Sequence, residues 1–223
     1  MEFIFMLTQD DRTIPDALEV YDSIRRTELR YVGFKDVGVD RPTLQKLTAE
    51  MHADDRQVML EVVSTSRDDE LRSIQAAVDV GVDYILGGTN TEAAGELLAG
   101  SGVRYYPFPG TIVGHPSELR GDIEEIAEHA RHLTRTDGID GVDLLAYRHR
   151  GVDPVALTKA VVDASHGPVI AAGSVDSEER IQALQAAGAW GFTIGNAILA
   201  GQMPEGPDVA AQITWTLRAA AGA

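Results

Sequence analysis

The chain has 223 residues, 44% of them hydrophobic, with a formal net charge of -16 and no cysteine. That length suffices for one large α/β domain or two small ones. Without cysteine, disulfides, thiol catalysis and thiolate-held metals are excluded. The negative charge, spread along the chain, argues against nucleic-acid partners.

The N-terminus, Met1-Glu2-Phe3-Ile4-Phe5-Met6-Leu7-Thr8, lacks a basic start and a small-residue cleavage site. It reads as a first strand rather than a targeting segment. No apolar run approaches the roughly 20 residues of a membrane span, so the expected location is cytoplasmic, with no membrane partner. Strand-like runs follow at 31–35, 58–64, 84–86, 103–108, 142–147, 169–172 and 191–194, after the first at 3–8. Helix-like segments alternate with them near 14–27, 42–53, 68–80, 91–99, 122–134, 154–164, 177–187 and 207–221. No proline-rich or serine-rich linker divides the chain. Eight strands each followed by a helix predict a single (β/α)8 TIM barrel over 1–223, of the α/β class.

An internal repeat supports two half-barrels. A gapless shift of residues 69–88 by 107 positions matches Asp69 to Asp176, Ile74 to Ile181, Gln75 to Gln182, Ala76 to Ala183, Gly81 to Gly188 and Gly88 to Gly195. The competing explanation is that any two βα units share helix-ending glycines and alanines.

Barrel active sites lie at the C-terminal strand ends, so titratable residues there are the candidates. Asp10, after strand 1, reads as a base or metal ligand, or else it caps the first helix with Thr13. Lys35 ends strand 2 in an apolar context and is one of only three lysines. It reads as a Schiff-base nucleophile, an electrophile facing an enolate, or a general acid, against an ion pair with Asp36 or Glu61 that braces the barrel. Glu61 interrupts Val58-Met59-Leu60-Glu61-Val62-Val63, where a charge is costly unless paired. Lys35 is its expected partner, and such a pair can move a proton beside a carbonyl. The repeat, however, places Glu61 deeper than a catalytic base usually sits.

Strand 4 ends in Gly87-Gly88-Thr89-Asn90, where Thr89 and Asn90 are candidate substrate contacts or ordinary turn residues. The segment 107–117 has the glycines and apolar residues of a closing loop, and it carries His115. Strand 6 ends in Tyr147-Arg148-His149-Arg150, where Tyr147 and Arg148 would recognise a carboxylate or phosphate, unless these are exposed charges paired with nearby acids. Finally, strands 7 and 8 stop in Gly173-Ser174 and Gly195-Asn196. Two such ends side by side, with a short helix beginning near Asn196, would form a phosphate site of backbone N–H groups. No Gly-x-Ser-x-Gly, Walker, His-Glu-x-x-His or dinucleotide-binding motif is present.

In architecture along its whole length, and in residues at Gly173-Ser174 and Gly195-Asn196, the chain resembles the phosphate-binding TIM barrels related to ribulose-phosphate-binding enzymes. That group includes histidine-biosynthesis isomerases, indole-glycerol-phosphate synthase and sugar-phosphate epimerases. Its loops after strands 7 and 8 hold the substrate phosphate, and the resemblance implies that role for Gly173, Ser174, Gly195 and Asn196. The chain departs from the pattern in two places. It has no Asp-x-Lys-x-x-Asp on a strand, and no paired His and Asp on strands 2 and 3 as in the metal-dependent epimerases. The subfamily therefore stays open.

The expectation is an enzyme acting on a small phosphorylated metabolite by isomerisation, epimerisation or carbon–carbon cleavage, with Lys35 and Glu61 catalytic. The alternatives are a non-catalytic phosphometabolite sensor and an aldolase using a divalent metal held by Asp10, Glu61 and a histidine. Beyond that metal no cofactor is indicated, and a homo-oligomer is compatible with the sequence.

Overall fold

A computed structural model describes residues 1–64 and 66–222. Among these, eight parallel strands alternate with helices: β1 (Glu2–Met6), β2 (Tyr31–Lys35), β3 (Gln57–Val62), β4 (Tyr84–Gly87), β5 (Arg104–Tyr106), β6 (Val142–Leu144), β7 (Val169–Ala171) and β8 (Gly191–Ile194). They hydrogen-bond in the order β6-β7-β8-β1-β2-β3-β4-β5. Among the described residues the seam between β5 and β6 has no ladder. Instead, Asp140 N–H donates to the Tyr105 carbonyl at 2.9 Å and Asp143 N–H to the Pro107 carbonyl at 3.0 Å. The Asp140 carboxylate also accepts Tyr105 N–H at 2.9 Å. The result is the (β/α)8 TIM barrel expected from the alternation.

The surrounding helices are α1 (Ala17–Ile24), α2 (Arg41–Ala53), α3 (Arg67–Val80), α4 (Thr91–Leu98), α5 (Ile123–Leu133), α6 (Pro154–Ala164), α7 (Glu178–Ala187), α8 (Asn196–Leu199) and α9 (Val209–Ala221). Six start at a side chain that accepts the backbone N–H three residues on: Asp40, Ser66, Asp122, Asp153, Ser177 and Asp208. Each cap satisfies an otherwise orphaned donor, worth about 1 kcal/mol.

Period-two alternation along the strands decides which side chains enter the barrel. Phe3, Phe5, Val32, Phe34, Val58 and Leu60 face outward into the layer beneath the helices. Ile4, Met6, Tyr31, Met59, Tyr84, Leu86, Tyr106 and Ile170 face inward as a separate apolar cluster. Part of that cluster is aromatic, with Tyr31 and Tyr84 from the starts of β2 and β4 and Tyr106 from the end of the short β5. Tyr31 lies 6.1 Å from Tyr84 and 5.5 Å from Trp190, and Tyr84 lies 5.9 Å from Tyr106, ring centre to ring centre. Aromatic pairs at such spacing are worth about 0.5–1.5 kcal/mol beyond their burial.

Expectations at four places are corrected. The run 58–64 leaves the sheet at Val62, and 142–147 leaves it at Leu144 to form a 3-10 turn at Ala146–Arg148. The segment 107–117 is not wholly irregular: Thr111–Val113 pairs antiparallel with Glu118–Arg120, around a cis His115-Pro116 peptide. The first helix is not capped by Asp10 and Thr13. Its N-cap is Asp16, because a ribbon pairing Thr8–Gln9 with Arg12–Thr13 intervenes.

Candidate functional site

The inward alternation of β2 ends on Lys35 and that of β3 on Glu61, and the two residues are register partners. Lys35 is only 2% exposed. Its Nζ lies 2.6 Å from Asp11 Oδ1 and 3.2 Å from Glu61 Oε2. Because β3 ends at Val62, Glu61 stands level with Lys35 rather than below it. Asp36, the other expected partner of Lys35, turns away and accepts a hydrogen bond from Ser73.

Asp11 is brought in by the ribbon after β1. Asp10 and Asp11 form its tip with φ of +50° and +58°, left-handed values that aspartate and asparagine tolerate better than most residues. The Thr13 hydroxyl fastens the ribbon to β2. It donates to the Lys35 carbonyl at 2.7 Å and accepts Lys35 N–H at 2.9 Å. From the far side, Arg148 donates to both Asp11 oxygens, each at 3.1 Å. Burial works to raise the Asp11 carboxyl, but the Arg148 hydrogen bonds and the Lys35 and Arg148 charges outweigh it. Its pKa is held well below the usual carboxylate range.

The glycine-ended strands face this cluster. After β7, Gly173 has φ +77° and Ser174 φ +58°. A Cβ on Gly173 would sit 2.4 Å from Arg148 Nε, so only glycine lets the guanidinium pass. The N–H groups of Gly173, Ser174 and Val175 have no intrachain acceptor among the described residues. After β8, a Cβ on Gly195 would fall 2.7 Å from the Thr8 carbonyl oxygen. Asn196 then opens α8, and its Oδ1 accepts Asp10 N–H at 3.2 Å. Lys35, Glu61 and Arg148 share one cavity of ≈ 280 Å³ with Gly173, Ser174, Gly195 and Asn196.

Other candidates lie apart from that cavity. The buried Glu70 carboxylate accepts Thr89 N–H at 2.9 Å, Asn90 N–H at 2.8 Å and Asn90 Nδ2 at 2.8 Å, which engages both residues in a turn. His115 is exposed and borders a neighbouring groove with Arg12 and Arg41. Tyr147 lies beneath the Arg180 guanidinium, 4.8 Å from ring centre to Cζ. Among the described residues no three His, Asp or Glu side chains converge as metal ligands, so Asp10, Glu61 and a histidine do not gather. No described helix is long and apolar enough to cross a membrane.

Sequence reasoning missed Asp11 and Asp143. Asp143 carried a readable signal, a charge inside the apolar run Val142-Asp143-Leu144. Asp11 carried none, because the ribbon that turns it inward is defined by backbone conformation.

No known protein family matches the chain, and no curated protein sequence does so either. Solved structures do resemble it. A native KDPGal structure superposes with a TM-score of 0.66 at 17% identity, covering 98% of this chain and 96% of the other. The N-acetylmannosamine-6-phosphate 2-epimerase of Clostridium perfringens gives 0.63 at 11% identity, over 88% and 86% of the two chains. The glycerol uptake operon antiterminator regulatory protein of Listeria monocytogenes gives 0.59 at 16% identity, over 86% and 91%. At such identities the likeness is one of fold.

Proposed function

We propose that the chain is an enzyme acting on a small phosphorylated metabolite by isomerisation, epimerisation or carbon–carbon cleavage. One observation carries this reading: a single cavity holds both the glycine-ended turns and the Lys35–Glu61 pair. In it, the free N–H groups after β7 and the start of α8 take the phosphate. Lys35 and Arg148 face a carbonyl and stabilise the negative charge that develops when a neighbouring carbon loses a proton. Glu61 accepts and returns that proton. Of the three roles open to Lys35, it serves here as electrophile or acid, its Nζ held between Asp11 and Glu61 at the cavity. The fold likeness to an N-acetylmannosamine-6-phosphate 2-epimerase supports the substrate class.

The test is a thermal-shift screen of sugar phosphates, glycerol phosphates and inorganic phosphate against the wild type and Gly195→Asp. A ligand at 100 times its Kd stabilises a fold by about 2.7 kcal/mol. A specific hit lost in Gly195→Asp supports the site; silence from every phosphate on a folded protein overturns it. A second reading, a non-catalytic phosphometabolite sensor, draws on the likeness to an antiterminator regulatory protein. Turnover of the stabilising phosphate, abolished in Lys35→Met while binding persists, separates enzyme from sensor.

A further inference from the structure

Two arginines hold the turn after β7, and the chemistry proposed above uses only one of them. Arg148 crosses Gly173 inside the cavity. Arg180, in the first turn of α7, stands outside the cavity and donates to the Ser174 carbonyl. Two further contacts fix its guanidinium. It pairs with Asp176 at 2.9 Å, and its Cζ lies 4.8 Å from the centre of the Tyr147 ring. Tyr147 thus serves as a platform for Arg180, while its neighbour Arg148 enters the site.

Ser174 is the residue of this turn whose conformation needs support. Its φ of +58° lies in the left-handed region, where a serine Cβ crowds the backbone. Such a residue persists only where its surroundings hold it there. A trans peptide points its C=O and its N–H in opposite directions. Fixing the Ser174 carbonyl on Arg180 therefore turns the N–H of Val175 away from Arg180. That N–H, like those of Gly173 and Ser174, has no acceptor among the described residues, and all three residues line the cavity. Successive free N–H groups in such a turn make a concave seat for an anion.

We propose that Arg180 is a positioning residue: it ties the Ser174 carbonyl outward and so keeps the Val175 N–H turned into the cavity, where an anionic ligand accepts it. Without the tie, Ser174 relaxes to an ordinary negative φ and the peptide rotates. A carbonyl oxygen then replaces an N–H in the wall of the seat and repels the anion. Arg180 itself touches no ligand, and its charge is met by Asp176. The anion's identity as a phosphate rests on the proposed function; the tie does not.

The experiment compares the full chain, Arg180→Met and Arg180→Lys by NMR with 15N and 13C labels. The Arg180 side chain is 38% exposed, so methionine, which keeps the stem and loses the donor, is expected to leave the fold intact. In the ligand-free wild type, the backbone couplings and carbon shifts of Ser174 are expected to report a left-handed residue; in Arg180→Met they are expected to report a negative φ. Inorganic phosphate is then titrated in and followed at the Val175 amide. Its affinity is expected to fall about tenfold or more in Arg180→Met, the worth of one hydrogen bond to a charged group. Arg180→Lys keeps a donor for the carbonyl and is expected to restore both signals. An arginine that only braced α7 would lower Tm when replaced and leave Ser174 and the phosphate affinity unmoved, and that result overturns the proposal. So does a rearranged Ser174 with undiminished affinity. If the wild type binds no phosphate, the phosphate reading fails, while the ligand-free Ser174 signals still decide the tie.

Discussion

Asp11→Asn offers a clean measure of the charged cluster, because its backbone effect is close to nil. The residue sits at φ +58°, which asparagine adopts as readily as aspartate. What changes is charge. The Asp11 side chain is 3% exposed and receives Lys35 at 2.6 Å and Arg148 at 3.1 Å. In the variant Lys35 keeps Glu61, but Arg148 faces an amide that offers it no charge. Removing one partner of a buried pair costs about 3–5 kcal/mol. In a chain of this size each kcal/mol moves Tm by about 2–4 °C, so a fall of roughly 6–20 °C is expected. Because the folded pKa of Asp11 is depressed, its contribution is present above the unfolded value near 3.8 and is lost as pH falls through the folded value. Urea unfolding of both proteins from pH 7 to pH 3 should therefore show a constant gap that narrows only below about pH 4. A gap smaller than about 1 kcal/mol at pH 7 would mean that the cluster behaves like an exposed salt bridge, and the reasoning would be refuted.

Further substitutions address other parts of the site. Gly173→Ala adds a Cβ 2.4 Å from Arg148 Nε at φ +77°. It should displace the guanidinium and abolish phosphate-induced stabilisation, and retention of a wild-type thermal shift would contradict the assigned close approach. Glu70→Ala leaves the Thr89 and Asn90 amides without their acceptor. Thr89 is exposed and Asn90 half-buried, so water replaces part of the loss and the expected cost is about 1–3 kcal/mol, read from the urea midpoint. Gly195→Asp should remove phosphate stabilisation altogether, since it adds both a negative charge and a side chain 2.7 Å from the Thr8 carbonyl oxygen. Equal shifts in variant and wild type would place the anion elsewhere.

The barrel was legible because it is written in patterns that a sequence displays directly. Apolar runs alternate with capped helical segments, and helix stops such as Gly81 and Gly188 recur in both halves. Lys35 and Glu61 were legible for a different reason: each is a charge where the alternation demands an apolar side chain. The same argument applied to Asp143 and was not followed. Glu61 was set too deep because the half-barrel repeat carried the end of strand 3 beyond it, whereas pairing with β4 stops at Val62. Arg148 was named, but its partner lies 137 residues away, and only the closed barrel brings Asp11 within reach. Thr89 and Asn90 show the reverse case. Their chemistry suited a ligand, yet Glu70, an unremarked helix residue, holds both.

The aromatic rings packed inside the barrel have a further consequence. Together with Ile4, Met59, Leu86 and Ile170, the rings of Tyr31, Tyr84, Tyr106 and Trp190 fill the interior beneath Lys35, so the barrel is a blind well rather than a channel. Whatever reaches Lys35 arrives and departs by one mouth, against the outward traffic of the water it displaces. Two fragments cut from one molecule would have to leave in sequence, the one nearer the mouth first.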